Sequence, residues 1–180
     1  MIWVDETYIN YLPDAVSLEP LCGSLPELVV CESMSKCYAL SGLRVAYAVS
    51  QNMATLRRFI PPWAVSLPGQ LAAVAALRND AYYAQQYEVI HSERRKMQQA
   101  LDDLGFQVFS GVANYLLTYL PAASGYSSTR FIEACREQGL FVRDAQNMGV
   151  LLPNNAVRFA VRSPEENEKM LSIVDAILAL

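Results

Sequence analysis

The stretch from Ser33 to Arg44 reads Ser-Met-Ser-Lys-Cys-Tyr-Ala-Leu-Ser-Gly-Leu-Arg, and it is the most informative part of the sequence. It lies between two apolar runs, Leu28–Cys31 and Leu43–Val49, which are predicted to be buried strands. Lysine normally lies on solvated surfaces, so a lysine amid this much apolar sequence indicates a specific role. One such role for Lys36 is an amine that is free to form a Schiff base.

The side chains around Lys36 are suited to binding a phosphate group. Ser33 and Ser35 offer hydroxyl groups, and Arg44 offers a planar, permanently charged set of N–H donors. From the residue types alone, an ordinary loop lysine near a surface arginine explains the stretch equally well. Both interpretations stay open at this point.

The same stretch resembles the lysine motif of the class I and II aminotransferases, Ser-x-Ser-Lys-x-[Phe/Tyr]-x-Leu-x-Gly-Leu-Arg. The resemblance implies an enzyme of fold type I that depends on pyridoxal 5'-phosphate (PLP), with Lys36 as the catalytic lysine that binds the cofactor covalently. It also implies that Ser33 and Arg44 bind the cofactor phosphate, with Ser35 as a weaker contact.

A second motif lies upstream, where Val4-Asp5-Glu6-Thr7-Tyr8 resembles the Val-Asp-Glu-Ala-Tyr of the same family. The resemblance implies that Asp5 pairs with the protonated pyridine nitrogen of the cofactor. A carboxylate there keeps the ring charged, and the charged ring acts as an electron sink. Tyr8 is implied to hydrogen-bond the ring oxygen. Thr7 in place of alanine is a departure that we expect to be tolerated.

Three arginines in the second half of the chain are candidates for binding the substrate. Val157-Arg158-Phe159-Ala160-Val161-Arg162 resembles the family strand whose first arginine binds the substrate α-carboxylate. The resemblance implies Arg158 as that ligand, with Arg162 as a further candidate. Arg143 corresponds to an arginine that contacts the substrate phosphate in the histidinol-phosphate aminotransferase branch. For each of the three, a surface charge on an edge strand is the alternative.

Two further stretches, Pro62–Ser66 and Arg158–Asn167, look most like threonine-phosphate decarboxylases, which are close relatives of that branch. The resemblance covers essentially the whole chain. It implies transamination or decarboxylation of a small amino acid or amino alcohol that carries a phosphate. The expected setting is the cytoplasm, and the expected assembly is a homodimer or a pairing with a missing N-terminal half.

The composition predicts a globular domain and argues against several other classes of protein. Hydrophobic residues make up 53% of the chain and charged residues 18%, which is enough for a sizeable core. The net charge of -4 and the lack of a basic patch argue against nucleic acid or a membrane surface as partner. No apolar run approaches the roughly 18 residues of a spanning helix, and the first residues predict no signal peptide.

A metal site is not expected, and neither are disulfides. His91 is the single histidine, and the spacing of the four cysteines fits no zinc pattern. We therefore expect four reduced and mostly buried thiols, at Cys22, Cys31, Cys37 and Cys135.

The predicted fold class is α/β. We expect the C-terminal part of the PLP-transferase large-domain sheet in residues 1–79, then a long bridging helix and a small α+β C-terminal domain in residues 80–180. The apolar strands favour a parallel sheet that is covered on both faces. Further predicted strands are Ile2–Val4, Phe106–Phe109, Asn114–Leu120, Leu140–Arg143 and Val157–Val161, and predicted helices are Gln51–Phe59, Leu71–Leu77, Asp80–Leu104, Ser128–Gln138 and Pro164–Leu180.

The sequence also predicts an incomplete site. Nothing in the chain matches the N-terminal half of the family, which carries a glycine-bearing turn for the phosphate, an aromatic residue that stacks on the ring and an asparagine on the ring oxygen. We therefore expect a fragment, or a chain that pairs with a separate N-terminal piece. The alternative is a truncated, catalytically inactive domain that serves as a structural or interaction module.

Overall fold

A computed structural model of the chain describes residues 1–179, which fold as two units, Met1–Tyr87 and residues 88–179. Helix α3 (Asp80–Asp103) runs through the division and has 24 residues. It matches the long helix expected from the sequence to within one residue at its C-terminal end. The assignment of residues 1–79 and 80–180 to two domains stays a prediction.

The first unit is built on a three-stranded sheet in the order β1–β2–β3, with β1 (Ile2–Asp5), β2 (Leu28–Ser33) and β3 (Ala46–Val49). Strand β1 is parallel to β2, with Asp5 opposite Cys31. Strand β3 is antiparallel to β2, so the expectation of a wholly parallel sheet is wrong for β3. The reason is local: the Met34 N–H donates to the Val45 carbonyl at 3.2 Å, which closes the connection directly without a crossover helix.

Strand β3 begins later than the predicted run from residue 43. Ser41–Leu43 forms a 3-10 turn, and Arg44 follows it with a φ of 54°. A left-handed residue cannot continue into an extended strand, so the strand starts only at Ala46.

Short helices follow strand β3 in the first unit. The predicted helix over residues 51–59 forms as α1 (Met53–Leu56) and a 3-10 turn (Arg57–Phe59), which ends before the Pro61-Pro62 pair. Helix α2 (Leu67–Leu77) begins four residues earlier than predicted. Ser66 caps it by accepting a hydrogen bond from the Gly69 N–H at 3.2 Å.

Buried side chains in the core of the first unit anchor the turn that contains Lys36. The alanines of α2, Ala73 and Ala76, pack in one cluster with Met34 and Val45, and all four are buried. Met34 is completely buried, so the turn that follows β2 is anchored by an apolar side chain.

The second unit has an antiparallel sheet of four strands in the order β4–β5–β7–β6, packed with helices α4 (Ser128–Glu137) and α5 (Pro164–Leu178). Its strands are β4 (Gln107–Val108), β5 (Tyr115–Tyr119), β6 (Arg143–Asp144) and β7 (Ala156–Ala160). Helix α5 starts with a capping box between Ser163 and Glu166. The last residue of the helix predicted to end at Leu180 lies outside the described residues.

The predicted strand over residues 140–143 is wrong for most of its length. Gly139 has a φ of 73° and its N–H donates to the Arg136 carbonyl, while the Leu140 N–H donates to the Cys135 carbonyl at 2.8 Å. These two hydrogen bonds form the Schellman closure of α4. They use the backbone that a strand would need, so β6 starts only at Arg143.

The core of the second unit is aromatic at its centre. Phe131 from α4 and Phe159 from β7 are almost fully buried, and both pack edge-on against Phe106. Met97 and Leu101 of α3 are buried in the same cluster. These contacts hold β7, and therefore Arg158, on a rigid base.

Two further features concern the cysteines and the length of the helices. Cys22, Cys37 and Cys135 are buried, Cys31 is half-buried, and all four are free thiols. Within residues 1–179, the helices are too short or too polar to cross a membrane.

Candidate functional site

Two strand ends bring the first two motifs together. Asp5 is the last residue of β1 and Ser33 is the last residue of β2. Because these strands are parallel, with Asp5 opposite Cys31, both carboxyl ends lie at the same edge of the sheet. Ligands of open α/β sheets bind at this edge, where loops follow the strands.

Lys36 lies in the turn that follows β2, and its side chain is exposed. Its backbone carbonyl accepts hydrogen bonds from the Ala39 N–H at 3.2 Å and from the Tyr11 hydroxyl at 3.3 Å. The Leu40 N–H donates to the Met34 carbonyl at 2.9 Å and closes the turn. The backbone of Lys36 is therefore fixed, while its amine stays accessible to a ligand.

The candidate phosphate ligands lie around the same turn. The hydroxyl oxygens of Ser33 and Ser35 are 2.8 Å apart. Arg44 is exposed, and its Nη1 donates to the Ser41 carbonyl at 3.1 Å. The carbonyl of the next residue, Val45, accepts a hydrogen bond from the Met34 N–H. Arg44 therefore lies close to the residues that follow β2. Two hydroxyls and a guanidinium are the donors that a phosphate takes.

Tyrosines flank the turn on the side of β1. Tyr8 precedes the short 3-10 helix Ile9–Tyr11, and its ring centroid is 6.3 Å from that of Tyr11. Tyr11 is buried and packs edge-on against Tyr87, with ring centroids 5.3 Å apart. Burial raises the pKa of Tyr11 well above its usual value, so its hydroxyl remains a neutral donor to the Lys36 carbonyl.

Thr7, which the sequence suggested was only a tolerable departure, connects the two motifs. Its hydroxyl donates to Oδ1 of Asp5, and the Ser33 N–H donates to the Thr7 hydroxyl oxygen at 3.0 Å. Its backbone carbonyl accepts from the Cys37 thiol at 3.1 Å. The sequence signal for this role was the hydroxyl itself, two residues after a candidate cofactor aspartate.

A buried carboxyl group, which no motif of the sequence revealed, lies one residue before Ser33. Glu32 is 2% exposed and accepts a hydrogen bond from the Asn10 side chain at 2.7 Å. The Tyr47 hydroxyl lies 2.7 Å from Glu32 Oε2 and 2.8 Å from Glu19 Oε1. One hydroxyl proton cannot serve two carboxylates. Burial raises the pKa of Glu32, which suits a protonated Glu32 that donates to Tyr47 while Tyr47 donates to Glu19.

This arrangement predicts a pH-dependent stability. Because the pKa of Glu32 is raised by folding, its contribution to stability is full below the unfolded pKa of about 4.3 and is lost as the pH rises through the folded pKa. Glu32→Gln mimics the protonated acid and cannot ionise. We expect the variant to be more stable than the wild type at neutral pH, with a difference that shrinks towards acidic pH.

The measurement is the urea unfolding midpoint of both proteins from about pH 4 to about pH 8. Glu27→Gln, at an exposed glutamate, is the matched control and should follow the wild-type curve. Parallel curves for Glu32→Gln and the wild type would show that the pKa of Glu32 is the same in the folded and unfolded states, which would contradict a carboxyl group whose protonated form is favoured by burial.

In the second unit, two of the candidate substrate arginines are directly opposite each other on neighbouring strands. Arg143 of β6 is paired with Arg158 of β7 in an antiparallel register. Like charges in this position repel and destabilise the sheet. The two ion pairs among residues 1–179 join other side chains, so the positive charges of this pair are open to an anion.

The surroundings of the two arginines differ. The Arg158 guanidinium stacks over the Tyr115 ring, 4.9 Å from the centroid, and is half-buried. Arg143 is exposed and lines a cavity of about 390 Å³, whose charged lining also includes Arg136, Glu133 and Asp144. Arg158 is therefore held in place by its neighbours, while Arg143 faces open space that can accept a ligand group.

The third candidate arginine already has a protein partner. Arg162 binds the carboxylate of Glu166 through Nη2 at 2.7 Å and Nε at 3.3 Å. Glu166 also belongs to the capping box of α5, so this pair secures the start of the helix. A role of Arg162 in substrate binding stays a prediction.

Comparison with known proteins matches almost the whole chain to one family. The family model "Aminotransferase class I and II" matches residues 1–174. The chain is 34% identical over 182 residues to an aromatic amino acid aminotransferase of Rhodococcus erythropolis, covering 99% of this chain and 48% of the relative. It is 30% identical over 179 residues to a threonine-phosphate decarboxylase of Salmonella typhimurium, covering 97% and 48%.

A solved structure shows the same fold. The crystal structure of the histidinol-phosphate aminotransferase from Clostridium acetobutylicum superposes with a TM-score of 0.86 at 25% identity, and the match covers 99% of this chain and 54% of that chain. The chain thus spans about half the length of the curated relatives that it matches.

Proposed function

The chain belongs to the class I and II aminotransferase family, and we propose that it supplies the catalytic lysine and the substrate arginines of an aminotransferase or decarboxylase. The family consists of PLP-dependent enzymes. The main support is Lys36, exposed on a fixed turn directly after β2, at the sheet edge that also carries Asp5.

The donor set of the first unit fits both ends of PLP. Asp5 offers a carboxylate for the ring nitrogen, and Ser33, Ser35 and Arg44 offer hydroxyl and guanidinium donors for the phosphate. Lys36 offers the amine that binds the aldehyde carbon. When bound, PLP supplies a charged ring that accepts electrons from a bond broken at the substrate α-carbon.

Each residue then has a distinct task in the proposed reaction. Lys36 Nζ would hold the cofactor, and its amine would be placed to take or return a proton at the substrate α-carbon. Asp5 would keep the ring nitrogen protonated by placing a negative charge beside it. Tyr8 would donate to the ring oxygen of the cofactor.

The paired arginines support a substrate with two anionic groups. We assign the α-carboxylate to Arg158, whose guanidinium is fixed by Tyr115, and the phosphate to Arg143 on the neighbouring strand. A small phosphorylated amino acid or amino alcohol fits this pair, in line with the names of the threonine-phosphate and histidinol-phosphate relatives.

A second candidate substrate class follows from the aromatic amino acid aminotransferase, which is 34% identical. An aromatic amino acid has a single carboxylate, so it would use Arg158 without an anionic partner for Arg143. Assays with phosphorylated and aromatic amino acids separate the two classes. When the chain is combined with the segment that it needs for activity, Arg143→Leu should weaken the turnover of phosphorylated substrates only.

The proposed activity needs a further polypeptide segment equivalent to the remaining half of the relatives. Strand β1 is an edge strand of the sheet that residues 1–179 form, and its side chains Ile2 and Trp3 are 62% and 57% exposed. An apolar strand edge of this kind is suited to pairing with another strand. A homodimer and a cytoplasmic location stay predictions. An inactive interaction module is the alternative.

Reductive labelling tests the proposal on the chain as it stands. PLP is added and reduced with borohydride, and the labelled peptides are then mapped. The chain has three lysines, Lys36, Lys96 and Lys169, so two of them serve as internal references. We expect the label to concentrate on Lys36. Equal labelling of all three would overturn the proposal for this chain and favour the inactive module.

A further inference from the structure

The Asp5 carboxylate is held through one of its two oxygens. The Thr7 N–H donates to Oδ1 at 2.9 Å, and the Thr7 hydroxyl donates to the same oxygen. Two hydrogen bonds from one residue fix the rotation of the side chain. Within residues 1–179, no hydrogen bond ends on Oδ2, so this oxygen is available to a donor on a ligand.

The direction of the hydroxyl hydrogen bond follows from its second contact. The Ser33 N–H donates to the Thr7 hydroxyl oxygen at 3.0 Å. A hydroxyl has one proton, and because its oxygen already accepts from Ser33, that proton is free to point to Asp5. The chain of donors therefore runs from Ser33 through Thr7 to the carboxylate, and each bond polarises the next one.

Thr7 is itself well fixed. Its side chain is only 8% exposed, and its carbonyl accepts a hydrogen bond from the thiol of Cys37, the residue after Lys36. An alanine, as in the motif that this segment resembles, would keep the N–H donor and lose the hydroxyl. The link from Ser33 to Asp5 is therefore a property of the threonine in this chain.

We propose that Thr7 is a positioning residue that holds Asp5 with Oδ2 presented to the pyridine nitrogen of PLP. Its hydroxyl ties the carboxylate, which would bind the ring end of the cofactor, to the end of β2, which would bind the phosphate end. This proposal rests on the proposed function of Asp5. It adds the residue that fixes the geometry of that carboxylate.

The first arm of the test needs no cofactor. Thr7→Val keeps the shape of the side chain and removes the hydroxyl, while Thr7→Ser keeps the hydroxyl. In the valine variant, the NMR coupling constants of the Asp5 β-protons should change from the values of a single rotamer to values averaged over several rotamers. Exchange of the Ser33 amide should accelerate by about tenfold. The serine variant should resemble the wild type. If the valine variant does not fold, Thr7→Ala replaces it.

The second arm compares PLP with 1-deaza-PLP, in which a C–H group replaces the ring nitrogen. Thr7→Val should weaken the binding of PLP by about tenfold and leave the binding of the deaza analogue unchanged. Thr7→Ser should bind both as the wild type does. Equal weakening of both ligands, or an unchanged Asp5 rotamer in the first arm, would overturn the proposal.

The two proposals fail in different ways. If the wild type shows no selective labelling of Lys36 by PLP and borohydride, the proposed function fails, and the role of Thr7 towards PLP fails with it. If Lys36 is labelled and the valine variant keeps the wild-type ratio of PLP affinity to deaza-PLP affinity, only the role of Thr7 is wrong.

Discussion

Replacing Lys36 by alanine is expected to remove the visible absorption that the chain gains when it is mixed with PLP. In the proposed function, the amine of Lys36 is the nucleophile for the aldehyde of the cofactor, and alanine has no group that can take this role. The residual absorption should fall to the level that the two other lysines and the N-terminal amine produce together. Difference spectra at equal protein and PLP concentrations measure this effect.

Lys169→Ala is the matched control, because it makes the same substitution at another exposed lysine, which lies on α5. It should keep the absorption of the wild type except for the small share that Lys169 itself contributes. Lys36→Arg adds a second control, since it keeps the positive charge but not the nucleophile, and it should behave as Lys36→Ala does. Full absorption in Lys36→Ala would mean that Lys36 is an ordinary turn lysine.

The parts of the fold that the sequence could predict depend on neighbouring residues. Strand β2 begins with four apolar residues in a row after a turn, and α3 is a long periodic segment closed by Gly105, which has a φ of 85°. The Lys36 turn was located between two strands because its motif has its own sequence signature. These features need no information about which strand lies beside which.

The direction of β3 could not be predicted in this way, because parallel and antiparallel strands with buried faces use the same apolar residues. It is decided by the hydrogen bond between Met34 and Val45 and by the left-handed conformations of Ala39 and Arg44. The φ of 56° at Ala39 cannot be predicted from the pattern of hydrophobic residues in the sequence.

The contacts within the candidate site could not be predicted from neighbouring residues either. Asp5, Ser33 and Lys36 could be picked out because they lie in motifs, but the contact of Thr7 with Ser33 joins residues 26 positions apart. Arg143 and Arg158 appeared as two separate candidates, and only the register of β6 and β7 makes them a pair. Glu32 was not singled out from the sequence, because its burial and its contact with Tyr47 depend on residues that lie far from it along the chain.

Phe131→Ala is expected to destabilise the second unit by about 3–5 kcal/mol. Phe131 is completely buried, and its ring lies edge-on to Phe106, Tyr126 and Phe159 with centroid distances of 6.1, 6.1 and 6.4 Å. Alanine would lose the burial of the ring, the edge-to-face contacts and the filling of the space, which the surrounding sheet and helices can close only in part.

Urea unfolding followed by circular dichroism measures this difference. The control is Phe141→Ala, at a phenylalanine that is 81% exposed, where we expect a change within about 0.5 kcal/mol. Because Phe159 lies next to Arg158 in β7, loosening this core should also weaken the hold on the Arg143–Arg158 pair. A loss below about 1 kcal/mol for Phe131→Ala would mean that the core closes around the missing ring, and that these aromatic contacts do not set the rigidity of β7.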